Sequence, residues 1–106
     1  MELTDKVVVI TGGGNGIGAA MARRFAQERA AAIVVTDLDG DAAAAVADEI
    51  GGRGMAVDVA DEAQVRALVA SAKADHGRID LFCANAGVGA FGGVEVALEA
   101  MHETAD

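Results

Sequence analysis

The sequence predicts an α/β fold: a parallel β-sheet with flanking helices, in the order β-α-β-α-β-α-β. Three observations carry this. Short apolar runs alternate along the chain with apolar stripes that recur every three to four residues. The first run, Val7-Val8-Val9-Ile10-Thr11, is continuous rather than alternating, as in a strand covered on both faces. That run enters five glycines between Gly12 and Gly18. Glycine is the costliest residue to order, so such a cluster implies a backbone shape that side chains would obstruct.

Each element follows in turn. Lys6 to Thr11 reads as the first strand. Ile17, Met21 and Phe25, with Ala22 and Ala26 beside them, form the first helical stripe. Ala32 to Thr36 is a second apolar run, closed by Asp37. Ala43, Val46, Ala47 and Ile50 give the next stripe, and Gly51-Gly52 end it. Gly54 to Val57 is a weaker strand signal. Asp61 is placed to cap the third helix, with Gln64 three residues on as a capping box requires. Val65, Leu68, Val69 and Ala72 form its buried stripe, and Gly77 stops it. Ile79 to Ala84 is the fourth strand, Gly87 to Gly93 a glycine-rich loop, and Val94 to Thr104 a short helix. Short connections between such units make parallel strands with crossover helices.

Composition narrows the function. The 106 residues suit one domain, and 53% of them are hydrophobic, enough for a core. Net charge is −9, so the basic footprint of a nucleic-acid binder is missing. One cysteine, Cys83, excludes an internal disulfide and a cysteine-rich metal site. No apolar run approaches the roughly 20 residues of a membrane span, and no basic segment followed by an apolar one opens the chain. A cytoplasmic protein with a small-molecule ligand is the expectation.

The glycines suggest which ligand. A tight turn between a strand and a helix exposes backbone N–H groups at the helix N-terminus, where the dipole attracts phosphate. Gly18, one residue into the stripe, lets helix and strand approach. Asp37 ends the second strand about 20 residues further on, where a carboxylate accepts both ribose hydroxyls of an adenosine. Together these make a dinucleotide site of Rossmann type. A nucleoside-triphosphate loop would place Lys and then Ser or Thr after the last glycine, but Ala19-Ala20 stand there.

The motifs resemble the short-chain dehydrogenase/reductase family. Thr11-Gly12-x-x-x-Gly16-x-Gly18 has its glycine spacing, and Asp37 stands where NAD-preferring members carry an acid. Asp58-Val59 looks like the pair that contacts adenine, and Asn85-Ala86-Gly87 is similar to the family's N-A-G signature. Ala84 departs from the second asparagine that many members place before it. The resemblance implies NAD contacts at Gly12, Gly14, Asn15, Gly16, Ile17 and Gly18 on the turn. It adds Asp37 and Leu38 at the ribose, Asp58 and Val59 at the adenine, and Asn85, Ala86 and Gly87 beneath the nicotinamide ribose. Neither Asn15 nor Leu38 supplies the cation that NADP users often carry there.

The implied activity is hydride transfer between NAD(H) and a carbonyl or alcohol substrate, in a parent that forms a homodimer or homotetramer. A non-catalytic redox-sensing module and a sugar-nucleotide epimerase of related fold remain alternatives. Family members run to about 250 residues, within the usual domain range, and carry a catalytic serine, tyrosine and lysine in their second half. Here tyrosine is absent, the serine is Ser71, and the lysines are Lys6 and Lys73. Residues 1–106 are therefore expected to be the cofactor-binding half of a larger enzyme, inactive alone, with an unguarded fourth strand.

The remaining candidates have structural readings. Cys83 is expected as apolar filler and His76 as a helix-end residue. His102 and Glu103 share no helical face, so no metal site is expected. Arg23 and Arg24 are expected in surface salt bridges rather than on phosphate. Substrate contacts are expected to begin in residues 88–93, with Phe91 either lining a pocket or packing under the loop.

Overall fold

The computed structural model describes residues 3–85 and 91–102, the side chains of 91–95 excepted. Its elements run β1 (Val7–Thr11), α1 (Gly16–Gln27), β2 (Ala32–Asp37), α2 (Gly40–Ile50), β3 (Arg53–Ala56), α3 (Glu62–His76), β4 (Leu81–Ala84) and α4 (Phe91–His102). The four strands form one sheet in the order β3-β2-β1-β4. Every pairing is parallel, with Val9 opposite Val34 on one side and Phe82 on the other.

The continuous apolar character of β1 has the predicted cause. Val8 and Ile10 pack with Ile33 and Val35 against Ala19, Ala22, Ala43, Val46 and Ala47 of α1 and α2. Val9 and Val34 face the other way, onto Leu68 and Ala72 of α3. Helices thus cover both faces. Val8, Val9 and Ile10 are fully buried, each contributing about 1.5–3 kcal/mol relative to exposure.

Small residues bring the helices close. A Cβ on Gly54 of β3 would lie 2.8 Å from Ala44 Cα of α2. The abundance of alanine in α2 is the helix side of that approach. Gly51 and Gly77 cap α2 and α3 as expected.

Strand bounds shift by one or two residues, with β1 starting at Val7, β3 running Arg53–Ala56 and β4 starting at Leu81, and three further details differ from the sequence reading. Ile17 is 73% exposed, and the core-facing stripe of α1 is Gly18, Ala19 and Ala22, with Met21 and Phe25 half-buried beside it. The helix lies too near the sheet for large residues along its centre line. α4 begins at Phe91, three residues before the predicted start. Gly92-Gly93 read locally as loop, but packing of Ala97 and Ala100 onto Val65 and Val69 of α3 holds the helix in place. Thr104 lies outside the described residues. Third, Gln64 does not close a capping box on Asp61. The Asp61 N–H already donates to the Asp58 carbonyl at 3.0 Å, so Gln64 Oε1 accepts from the Asp58 N–H at 2.8 Å.

Candidate functional site

The C-terminal ends of β1, β2, β3 and β4 share one edge of the sheet. A cleft of about 300 Å³ opens there, lined by Gly12, Asp37, Leu38, Val57, Asp58, Val59 and Asn85. Six of these seven were singled out from the sequence. Val57 was not, since a buried valine ending a weak strand carries no polar signal; it is 5% exposed.

The glycine turn forms the inner wall. Gly12 and Gly16 take φ of +64° and +56°, where a side chain is strained. Gly18 is required for another reason. A Cβ there would lie 2.0 Å from the Gly12 carbonyl oxygen and 2.8 Å from Asn85 Nδ2. Gly13 is fixed by its N–H donating to Thr36 O at 2.8 Å. At Gly14 a Cβ would meet Ala42 Cβ at 2.8 Å and Asp37 Oδ2 at 3.0 Å.

The N-terminus of α1 is left open by its own side chains. Asn15 is its N-cap and makes no side-chain capping bond, and the first turn carries no acid. Both α2 and α3 are closed by aspartates, Asp39 and Asp61, each accepting from two backbone N–H groups. The orphan donors of α1 thus remain available to an anion held against the glycine turn. Ile17 is exposed on that first turn.

Asp37, at the end of β2, adjoins the glycine turn. Its Oδ2 accepts from the Gly14 N–H and its Oδ1 from the Asp39 N–H, each at 3.0 Å. Leu38 beside it is 75% exposed, a large apolar side chain at a cleft mouth. Asp58 is braced from two sides: its N–H donates to Gln64 Oε1, and its Oδ1 accepts from the Ala60 N–H at 2.9 Å. Among the described residues no lysine or arginine lines the cleft.

Asn85 ties the turn to β4. Its backbone N–H donates to Thr11 Oγ1 at 3.1 Å, and Nδ2 reaches Gly12 O at 3.5 Å. Thr11 Oγ1 in turn donates to Cys83 O at 3.4 Å. Thr36 is the counterpart on β2, its hydroxyl donating to Ile10 O at 3.1 Å. Sequence reasoning named Thr11 as the first residue of the glycine motif without giving its hydroxyl a role, and missed Thr36. A hydroxyl near the end of an otherwise apolar strand is the signal Thr36 carries. Ala86 and Gly87, predicted as cofactor contacts, lie outside the described residues, as do residues 88–90.

The other candidates resolve as structural. Arg23 pairs with Glu49 of α2 at 2.5 Å and Arg24 with Glu28 at 3.3 Å. Burial pushes the half-buried Cys83 thiol above its ordinary range, which keeps it protonated near neutrality. Lys73 Nζ donates to the carbonyls of Ala100 and Met101 near the end of α4, away from the cleft. Among the described residues no group of three metal-ligating side chains occurs, and no helix is long and apolar enough to cross a membrane.

Comparison with known proteins agrees with this fold. A family model described as short chain dehydrogenase matches residues 6–105. The mitochondrial (−)-isopiperitenol/(−)-carveol dehydrogenase of Mentha piperita is 40% identical over 89 residues, covering 81% of this chain and 34% of that protein. The structure of 3-ketoacyl-(acyl-carrier-protein) reductase from Brucella melitensis complexed with NADH superposes with a TM-score of 0.72 at 41% identity, over 76% of this chain and 34% of that one. A short chain dehydrogenase/reductase from Burkholderia phymatum in complex with NAD gives 0.83 at 32% identity, over 94% and 44%. The chain spans about a third of the length of the curated relatives it matches.

Proposed function

The chain belongs to the short chain dehydrogenase family, and from that premise we propose that it forms the NAD-binding part of an oxidoreductase acting on a carbonyl or alcohol. The observation that carries this is the cleft at the strand ends, where the Asp37 carboxylate is hydrogen-bonded to the glycine turn. The cradle fits the cofactor. Gly18 lets α1 approach the Gly12 carbonyl and Asn85 closely, and the open N-terminus of α1 suits a pyrophosphate.

Gly12, Gly14, Asn15, Gly16, Ile17 and Gly18 hold the pyrophosphate in this reading. Asp37 accepts the ribose hydroxyls beside Leu38, with Asp58 and Val59 around the adenine. Asn85, Ala86 and Gly87 support the nicotinamide ribose. When bound, NAD supplies the hydride chemistry, and the protein supplies orientation and electrostatics. The proton must move through a general acid–base pair. The 106 residues contain no tyrosine, so in this reading they supply the cofactor site and not the family's acid–base pair, and the whole enzyme assembles as a homodimer or homotetramer.

NAD is favoured over NADP. A 2′-phosphate would set like charges side by side at Asp37 and break its ribose hydrogen bonds, costing roughly 2–4 kcal/mol. That corresponds to about 30- to 700-fold weaker binding. Calorimetric titration of the full-length protein with both cofactors tests this, and equal or tighter NADP binding overturns it. Turnover of alcohols with NAD⁺ separates the oxidoreductase from a binding-only sensor.

A further inference from the structure

The carboxylate of Asp37 is held before any ligand arrives. Gly14 donates to Oδ2 and Asp39 to Oδ1, both through backbone N–H groups at 3.0 Å. An ionised carboxylate has about four acceptor sites. Two are taken on the protein side, which leaves about two for a vicinal diol. The orientation of those two follows from where the N–H donors stand.

Both donors depend on the first turn of α2. Asp39 is the N-cap of that helix, and its Oδ1 accepts from the N–H groups of Asp41 and Ala42, each at 3.1 Å. The cap fixes the backbone of residue 39, and so the aim of its own N–H at Asp37. It also seats Ala42, the wall against which Gly14 packs with no room for a Cβ. Asp39 itself is exposed and does not line the cleft.

We infer that Asp39 is a positioning residue for cofactor discrimination: by capping α2 it orients the Asp37 carboxylate toward the ribose hydroxyls. This rests on the NAD-binding reading above. Because the discrimination depends on hydroxyls against a 2′-phosphate, a misaimed Asp37 loses more affinity for NAD than for NADP. Loss of helix stability alone would weaken both together.

The test is calorimetric titration of the full-length protein with NAD⁺ and NADP⁺, for wild type, Asp39→Ala, Asp39→Asn and Asp37→Ala, each with its melting temperature. Asp39→Ala removes the cap acceptor. Asp39→Asn keeps it without the charge. Asp39→Ala is expected to weaken NAD⁺ binding about fivefold to tenfold more than NADP⁺, roughly 1 kcal/mol of differential affinity, and Asp39→Asn to retain the wild-type ratio. Should Asp39→Ala not fold, Asp39→Gly serves, since glycine is a tolerable N-cap that lacks the acceptor. Equal weakening of both cofactors, or none, overturns the inference and leaves Asp39 a helix cap. A ratio that shrinks equally in Asp39→Asn overturns it also, because charge and not aim would then be responsible. A wild type without NAD preference, or an Asp37→Ala variant with an unchanged ratio, removes the underlying reading and the inference with it.

Discussion

One methyl group at residue 18 would collide with the Gly12 carbonyl oxygen at 2.0 Å. Backbone on both sides cannot yield without moving the turn or α1. Gly18→Ala is expected to destabilise the fold by about 1–3 kcal/mol, as overpacking does, and to abolish cofactor binding. Gly16→Ala is the contrast. Its Cβ would meet nothing within 4 Å, and only the positive φ opposes it. That change should cost about 1 kcal/mol and weaken binding less. Thermal melts and cofactor titration of the two variants check the order. At this scale the sequence was readable where residue type and place are unusual together. Gly18 in a helical stripe and Asp37 ending an apolar run are of that kind. Asp39 was not readable as a partner of Asp37, because the link runs through a backbone N–H that any residue but proline would offer.

The N-terminus of α3 is closed by a side chain that titrates. Asp61 Oδ1 accepts from the N–H groups of Ala63 and Gln64, and Oδ2 from the Gln64 side chain. The Gln64 side chain first, and then its backbone N–H, hold this carboxyl below its ordinary value of 3.8. At the start of β1, Asp80 Oδ2 accepts from the Val7 N–H at 2.8 Å and pairs with Arg78, and these hold its carboxyl below 3.8 too. Both groups are depressed in the folded state. Their contribution is therefore fully present above the unfolded value and is lost as pH falls through the folded ones. Stability measured by denaturant should fall as pH drops below about 4, and Asp61→Asn should flatten part of that slope. An unchanged slope in both Asp61→Asn and Asp80→Asn would place the acid sensitivity elsewhere. The periodic stripes made element type readable, and the glycines made helix ends readable. The start of α4 was not, because α3 and not local propensity decides it.

Over the whole molecule, the order β3-β2-β1-β4 sets the two most buried strands at the centre and leaves β3 and β4 with one described neighbour each. The alternation of runs and stripes made the parallel α/β class readable, since connections this short between such units allow little else. Which helix covers which face follows from the facing sets Val8–Ile10 and Val9–Val34, and these emerge only once the register is known. The edges differ in protection. α2 packs closely over β3, where Arg53 pairs with Asp75. β4, Leu81–Ala84, carries no charge and no proline, and among the described residues no strand pairs with its outer side, so the N–H and C=O groups there can template another chain. Opposing that is a net charge of −9. Such repulsion acts over the Debye length, about 10 Å at 0.1 M salt and about 3 Å at 1 M. The 106-residue polypeptide should therefore stay dispersed at low ionic strength and associate as salt is added. Raising salt weakens the repulsion between copies while leaving the hydrogen-bonding edge untouched. Light scattering across a salt series measures this. Association that falls with salt would mean that complementary charges, not the β4 edge, draw the copies together.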